Sequence, residues 1–147
     1  MNIRLGISSC SIAISLLLCA GMASADSIVV VVSSNNPVQH LSQNDISQIF
    51  LDKAEFFPDG TPASPVNYAS KSKMATARSQ FEDSVLGKSP NQMRAYWSRL
   101  VFTGTGKIPR EIVSPEDLKD LIKTAPGTIG YLDKSLVDTS MKVVYQP

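Results

Sequence analysis

The hydrophobic pattern of this chain changes period several times. Residues 27–32 read SIVVVV, a continuous β-branched run that suits a strand buried on both faces. Polar SSNNP follows at 33–37, where Asn36-Pro37 ends the extended run. From Leu41 the spacing becomes helical. Ile46, Ile49 and Phe50 share a face, Ser42 with Asp45 three residues on predicts a capping box, and Leu41 is placed to staple onto Ile46. Pro58-Asp59-Gly60 predicts a turn. PVNYA at 65–69 predicts a second strand, followed by the polar cluster Ser70-Lys71-Ser72-Lys73.

A second helix is expected from that cluster to about Leu86, burying Met74, Ala77, Phe81 and Val85, with Gly87 closing it. Ser89-Pro90 and Gln92 open a third, with Met93, Tyr96, Trp97 and Leu100 inward. It flows into VFTGTGKIP at 101–109. Ser114-Pro115 repeats the device with Asp117, and Val113 is positioned to staple onto Leu118. Leu121 and Ile122 continue that face until Pro126-Gly127 stops it. TIGYL at 128–132 and KVVY at 142–145 complete the strands. The order β-α-β-α-α-α-β-β predicts an α/β domain, a central sheet flanked by helices.

Ahead of these elements lies a different pattern. One positive charge at Arg4, an apolar and small-residue run over 5–22, and Ala23-Ser24-Ala25 are the parts of a cleavable export signal. The expected organisation is a signal peptide over 1–25 and one domain over 26–147. Setting 25 residues aside from 147 leaves 122, enough to bury about two thirds of the unfolded surface. Arg4 departs with the leader, leaving 13 basic residues against 13 acidic ones. Zero net charge gives no electrostatic case for nucleic acid or an anionic membrane. Cys10 and Cys19 also depart, so no disulfide framework or thiol chemistry is expected. Leu18 is not the small residue a lipidation signal sets before its cysteine. After the leader no apolar run approaches about 18 residues, so nothing spans a bilayer. The implied destination is outside the cytoplasm.

Enzymatic constellations are thin. His40 is the single imidazole, placed before a helix cap like an ordinary surface residue, and no Gly-x-Ser-x-Gly elbow is present. Glu116, Asp117 and Asp120 follow the acidic preference of a helix start rather than a metal-ligand pattern. No enzyme, metal or cofactor is expected. The glycines of TGTGK at 103–107 follow a helix and precede Ile108-Pro109, so they predict a turn, not a phosphate loop. Trp97 fits the core by its spacing with Met93 and Leu100.

Open α/β sheets bind ligands beyond the carboxyl ends of their strands, at helix starts. Two loops qualify: Ser33-Ser34-Asn35-Asn36 and Ser70-Lys71-Ser72. Lys71 and Lys73 oppose the macrodipole of the helix they introduce, with Arg78 near the next turn. A bound anion would turn that repulsion into attraction. Lysines pointing into solvent are the alternative, and the residues alone leave both open.

The segments VVVVSSNNPVQHLSQNDISQIFLDK, PDGTPASPVNY, YWSRLVFTGTGKIP and PGTIGYLD, in this order, resemble phosphate ABC transporter substrate-binding proteins. They look most like the small single-domain relatives of that family. The resemblance implies a type 2 periplasmic-binding-protein-like fold, here a single lobe. In that family phosphate is held by hydroxyls, backbone amides and an arginine near helix starts. Ser33 and Ser34 match its polar residues after a strand. Ser70 and Ser72 stand where it often writes Ser-Gly-Thr, with a phenylalanine further along, here Phe81. The Gly-Thr itself is absent: Lys73 and Met74 follow Ser72.

The expected function is a periplasmic solute-binding module for phosphate or a similar small oxyanion, linked to ABC transport or sensing. Its expected site draws on Ser33, Ser34, Asn35, Ser70, Lys71, Ser72, Lys73 and Arg78. The alternative is a non-catalytic module that kept the lobe and lost the ligand. It would bind an envelope protein such as a transporter or sensor.

Overall fold

The run of valines forms the strand on which the rest is assembled. The computed structural model describes residues 27–147; the expected leader, its cleavage site and both cysteines lie outside the described residues. Strand β1 (Ile28–Ser33) is buried along its whole length. It lies between β4 (Thr128–Asp133) and β5 (Met141–Tyr145) and runs antiparallel to both. Strand β2 (Ser64–Tyr68) runs parallel to β4 and to β3 (Arg110–Ile112), giving the order β3-β2-β4-β1-β5.

Helices cover both faces. On one, Phe50 of α1 (Gln43–Phe50) and Phe81 of α2 (Ala75–Ser84) meet Tyr131 of β4. The Phe81 and Tyr131 rings stack at 3.9 Å, and Phe50 lies 4.7 Å from Phe81. On the other face α4 (Pro115–Thr124) sets Leu118 against Gly130, where a Cβ would stand 2.4 Å from Leu118 Cδ1. Any larger residue there would have to displace the buried Leu118 side chain. Helix α3 (Pro90–Thr103) buries Met93 and Trp97, and the Tyr96 hydroxyl donates to the Leu51 carbonyl at 2.7 Å.

The capping boxes expected at Ser42, Ser89 and Ser114 are all formed. Gly104, left-handed at φ 67°, closes α3, and the Lys107 N–H donates to Asp52. The GTG segment is therefore a turn, as its sequence context predicts. Three expectations need correction. Strand β3 is an addition to the expected order, because a three-residue edge strand with charged Arg110 and Glu111 carries no hydrophobic alternation. Val113 does not staple onto Leu118: it is 62% exposed, while Leu118 is fully buried over Gly130. Helix α2 starts at Ala75 rather than in the polar cluster and ends at Ser84 rather than Leu86. The Ser72 hydroxyl accepts from Met74 N at 3.1 Å and donates to the Ala69 carbonyl at 2.8 Å, holding a turn where helix was expected.

Candidate functional site

Because β2, β3 and β4 run the same way, their carboxyl ends share one edge of the sheet, with the starts of α2 and α4. The turn after β2 exposes Ser70, Lys71 and Lys73 there, while Ser72 is half-buried and engaged with its own backbone. Met74 occupies the N-cap of α2 without any side-chain hydrogen bond, and the first turn holds no acidic residue. Lys73 borders a shallow cavity of about 250 Å³ shared with Ile28, Met74, Thr76, Ala77, Gln80 and Asp133. Of the three exposed residues Lys73 borders this cavity, with Asp133 on its rim, while Ser70 and Lys71 stand exposed in the turn ahead of a helix start that has no side-chain cap.

Ser33, Ser34 and Asn35 are not brought to this surface. Strand β1 alone runs the other way, so its carboxyl end lies with the beginnings of β2 and β4. The Ser34 N–H donates to the Ser140 carbonyl just before β5, and Asn36 Nδ2 donates to the Pro126 carbonyl just before β4. Ser33 is buried, its Oγ accepting from Asn35 N. Lys73 instead neighbours Ile28, where β1 begins. Strand direction separates the two expected loops, and a run of hydrophobic residues carries no signal of direction.

Arg78 is near the turn but engaged elsewhere. Its Nε donates to Glu82 at 2.8 Å, and Nη1 donates to the Tyr68 carbonyl at 2.7 Å and to Glu111 at 2.9 Å. Burial works against the charged guanidinium, but the hydrogen bonds to Glu82 and Glu111 outweigh it and leave its pKa above the usual arginine value. This cation therefore joins α2 to β2 and β3. Glu82, only 2% exposed, is not among the expected site residues, although its i,i+4 spacing from Arg78 is the signal for such a pair.

The neighbouring helix start is built differently. At α4 the Asp117 carboxylate accepts from Val113 N at 3.0 Å and Ser114 N at 3.1 Å, and Ser114 Oγ accepts from Asp117 N. These bonds, the one from Val113 N foremost, hold the Asp117 pKa below the usual carboxylate range. Among the described residues the buried Tyr68 hydroxyl has no partner, and burial, then Glu116 and Asp117, raise its pKa. Tyr131 is raised by burial too, and its hydroxyl donates to Asn67 Oδ1. Among the described residues no cluster of His, Cys, Asp and Glu is placed to hold a metal ion, and His40 is exposed. No described helix is long and apolar enough to cross a membrane.

Neither a protein-family model nor a curated protein matches this sequence. Solved structures do match its fold. An ABC-type phosphate transport receptor from Vibrio cholerae aligns with a TM-score of 0.60 at 19% identity, over 81% of this chain and 45% of its own. A protein described as a candidate phosphate ABC transporter substrate-binding protein, from Clostridium perfringens with phosphate bound, gives 0.62 at 21%, over 81% and 44%. PstS from Borrelia burgdorferi gives 0.58 at 11%, over 81% and 46%. This chain spans less than half the length of each, and what it shares with them is the fold: one α/β lobe of the periplasmic-binding-protein type.

Proposed function

We propose that the chain is an exported solute-binding module for phosphate or a similar small oxyanion, working in the periplasm with ABC transport or sensing. In this reading the leader over 1–25 is removed and residues 26–147 form the working domain. The observation that carries it is the start of α2, an uncapped helix end on the carboxyl edge of parallel strands. Ser70, Lys71 and Lys73 stand exposed around it. The names of the structural neighbours, and the phosphate bound in one of them, agree with that chemistry. Ser70, Lys71 and Lys73 are the ligand-facing groups of the proposal. Arg78 and Ser72 hold the turn, and Ser33, Ser34 and Asn35 lie outside the site. Its work is binding rather than catalysis.

Calorimetric titration of the leaderless chain with phosphate and with sulfate tests this. Heat is expected with phosphate. Replacing Lys71 and Lys73 together by Ala should weaken binding by about tenfold or more, equivalent to about 1.4 kcal/mol. No heat at millimolar anion overturns the reading. The second reading, a lobe that binds an envelope protein and no solute, then stands. It is favoured by a groove of mixed polar and apolar lining at the other edge of the sheet, where Phe56 and Ile108 lie exposed beside Glu55 and Lys107.

A further inference from the structure

Between residues 87 and 110 the sequence carries Lys88, Arg94, Arg99, Lys107 and Arg110 and neither aspartate nor glutamate. Most of this stretch is α3. Its inner side is Met93 and Trp97. Its outer side is the row Asn91, Ala95, Ser98 and Phe102, spaced at four, three and four residues, with Arg94 and Arg99 flanking the row, and all six are exposed. Phe102 is 93% exposed and Val101 55%, at the last turn before Gly104.

Lys88, Arg94 and Arg99 form no ion pair among the described residues. They are nevertheless positioned. The Arg99 guanidinium and the Lys88 ammonium each lie 5.9 Å from the Tyr96 ring centroid, and that ring is fixed through its hydroxyl to Leu51. Arg94 is tied to Asn91 Oδ1.

We propose that this outer face of α3 is a docking surface for a protein partner that presents an acidic helix. Arg94 and Arg99 take its carboxylates, and Phe102 enters an apolar recess beside it. Arginine forks suit paired carboxylate recognition. Prepositioned cations lose less freedom on binding. Ala95 and Ser98 let a helix backbone come close, and an aromatic anchor beside arginines is the composition of an interface hot spot. A second copy meeting the same face would set arginines against arginines. A bilayer would require a continuous apolar face, whereas the row is polar or small up to Phe102. This surface is separate from the lysine-bearing turn and does not depend on phosphate binding.

The test is photo-crosslinking in the cells that make the protein. The full chain carries p-benzoylphenylalanine at Ala95, with a control at Lys123 on α4. The expected result is one protein adduct from position 95 and none from 123, on a segment of net negative charge. With the purified partner, Arg94→Glu/Arg99→Glu and Phe102→Ala should each weaken binding at least tenfold, and added salt should weaken it further. Arg94→Gln/Arg99→Gln repeats the test with less disturbance of folding, and phosphate heats should be unchanged in all of these variants. The proposal is overturned by no adduct, by an adduct to a second copy, or by a crosslinked segment lacking negative charge. It is equally overturned if the glutamine variant keeps full affinity, or if the chain sediments with vesicles of 70% phosphatidylcholine and 30% phosphatidylglycerol while no protein adduct forms.

Discussion

The starts of α2 and α4 lie on the same edge of the same sheet, yet they solve the same problem in opposite ways. Each presents backbone N–H groups that no carbonyl of its own helix can reach. At α4 the chain supplies the acceptors itself: Ser114 Oγ for Asp117 N, and the Asp117 carboxylate for the N–H groups of Val113 and Ser114. At α2 it supplies no capping side chain, and Lys71 and Lys73 stand exposed in the turn just ahead of it. A helix start that holds its own carboxylate has little to offer an external anion. One with cations ahead of it and no capping carboxylate is the start at which the proposed anion would act.

An uncapped start needs a hold elsewhere, and Arg78 provides it one turn later. Removing this guanidinium strands the buried Glu82 carboxylate and frees the Tyr68 carbonyl and Glu111. Arg78→Met should therefore cost about 3–5 kcal/mol, the range for breaking a buried pair from one side. Urea denaturation with a fluorescence readout measures it. The double variant Arg78→Met/Glu82→Leu should recover much of the loss, because no charge is then left buried alone. If the single variant costs less than about 1 kcal/mol, α2 is held by its packing, and its open start needs no such anchor.

Three of the four helices are legible in the sequence because each start is written locally. Ser42 with Asp45, Ser89-Pro90 with Gln92 and Ser114-Pro115 with Asp117 each name a start within four residues. The β-branched run likewise announces a fully buried strand. Strand direction is different. The SIVVVV run reads the same in either orientation, and only its antiparallel pairing with β4 puts Ser33, Ser34 and Asn35 at the edge away from Ser70–Lys73. The turn at Ser72 was also hidden, since polar residues before an apolar stripe read equally well as a first helical turn. Arg78 looked like part of an anion site because its carboxylate partner Glu111 comes from an edge strand with no hydrophobic signature.

The α4 side of the comparison can be weakened directly. Ser114→Ala removes the acceptor for Asp117 N and loosens the box, so it should cost about 1 kcal/mol of unfolding free energy. The corresponding change at α2, Ser72→Ala, touches the turn rather than a cap, so it should move the unfolding midpoint less. Thermal denaturation of the two variants side by side measures the difference. Equal losses would mean that the Ser72 turn caps α2 as effectively as Ser114 caps α4, and the contrast between the two starts would collapse.

Acid offers the finest separation, because only one of the two starts contains a carboxylate. Asp117 is held below its usual pKa chiefly by the Val113 N–H. Asp138, hydrogen-bonded to Ser140 and paired with Lys119 of α4 at 3.2 Å, is lowered to about 2. A carboxylate whose folded pKa is depressed adds stability that is fully present above its unfolded value of about 3.9. That stability disappears as pH falls through the folded value. For Asp138 the window runs from about pH 4 down to about pH 2. The first turn of α2 holds no carboxylate and contributes no such slope. The urea midpoint should therefore fall from pH 5 to pH 2, while Asp117→Asn/Asp138→Asn should begin lower at pH 5 and fall less steeply. Parallel slopes would show that neither carboxylate is stabilised by its bonds in the folded chain, and that the closed start of α4 rests on Ser114 alone.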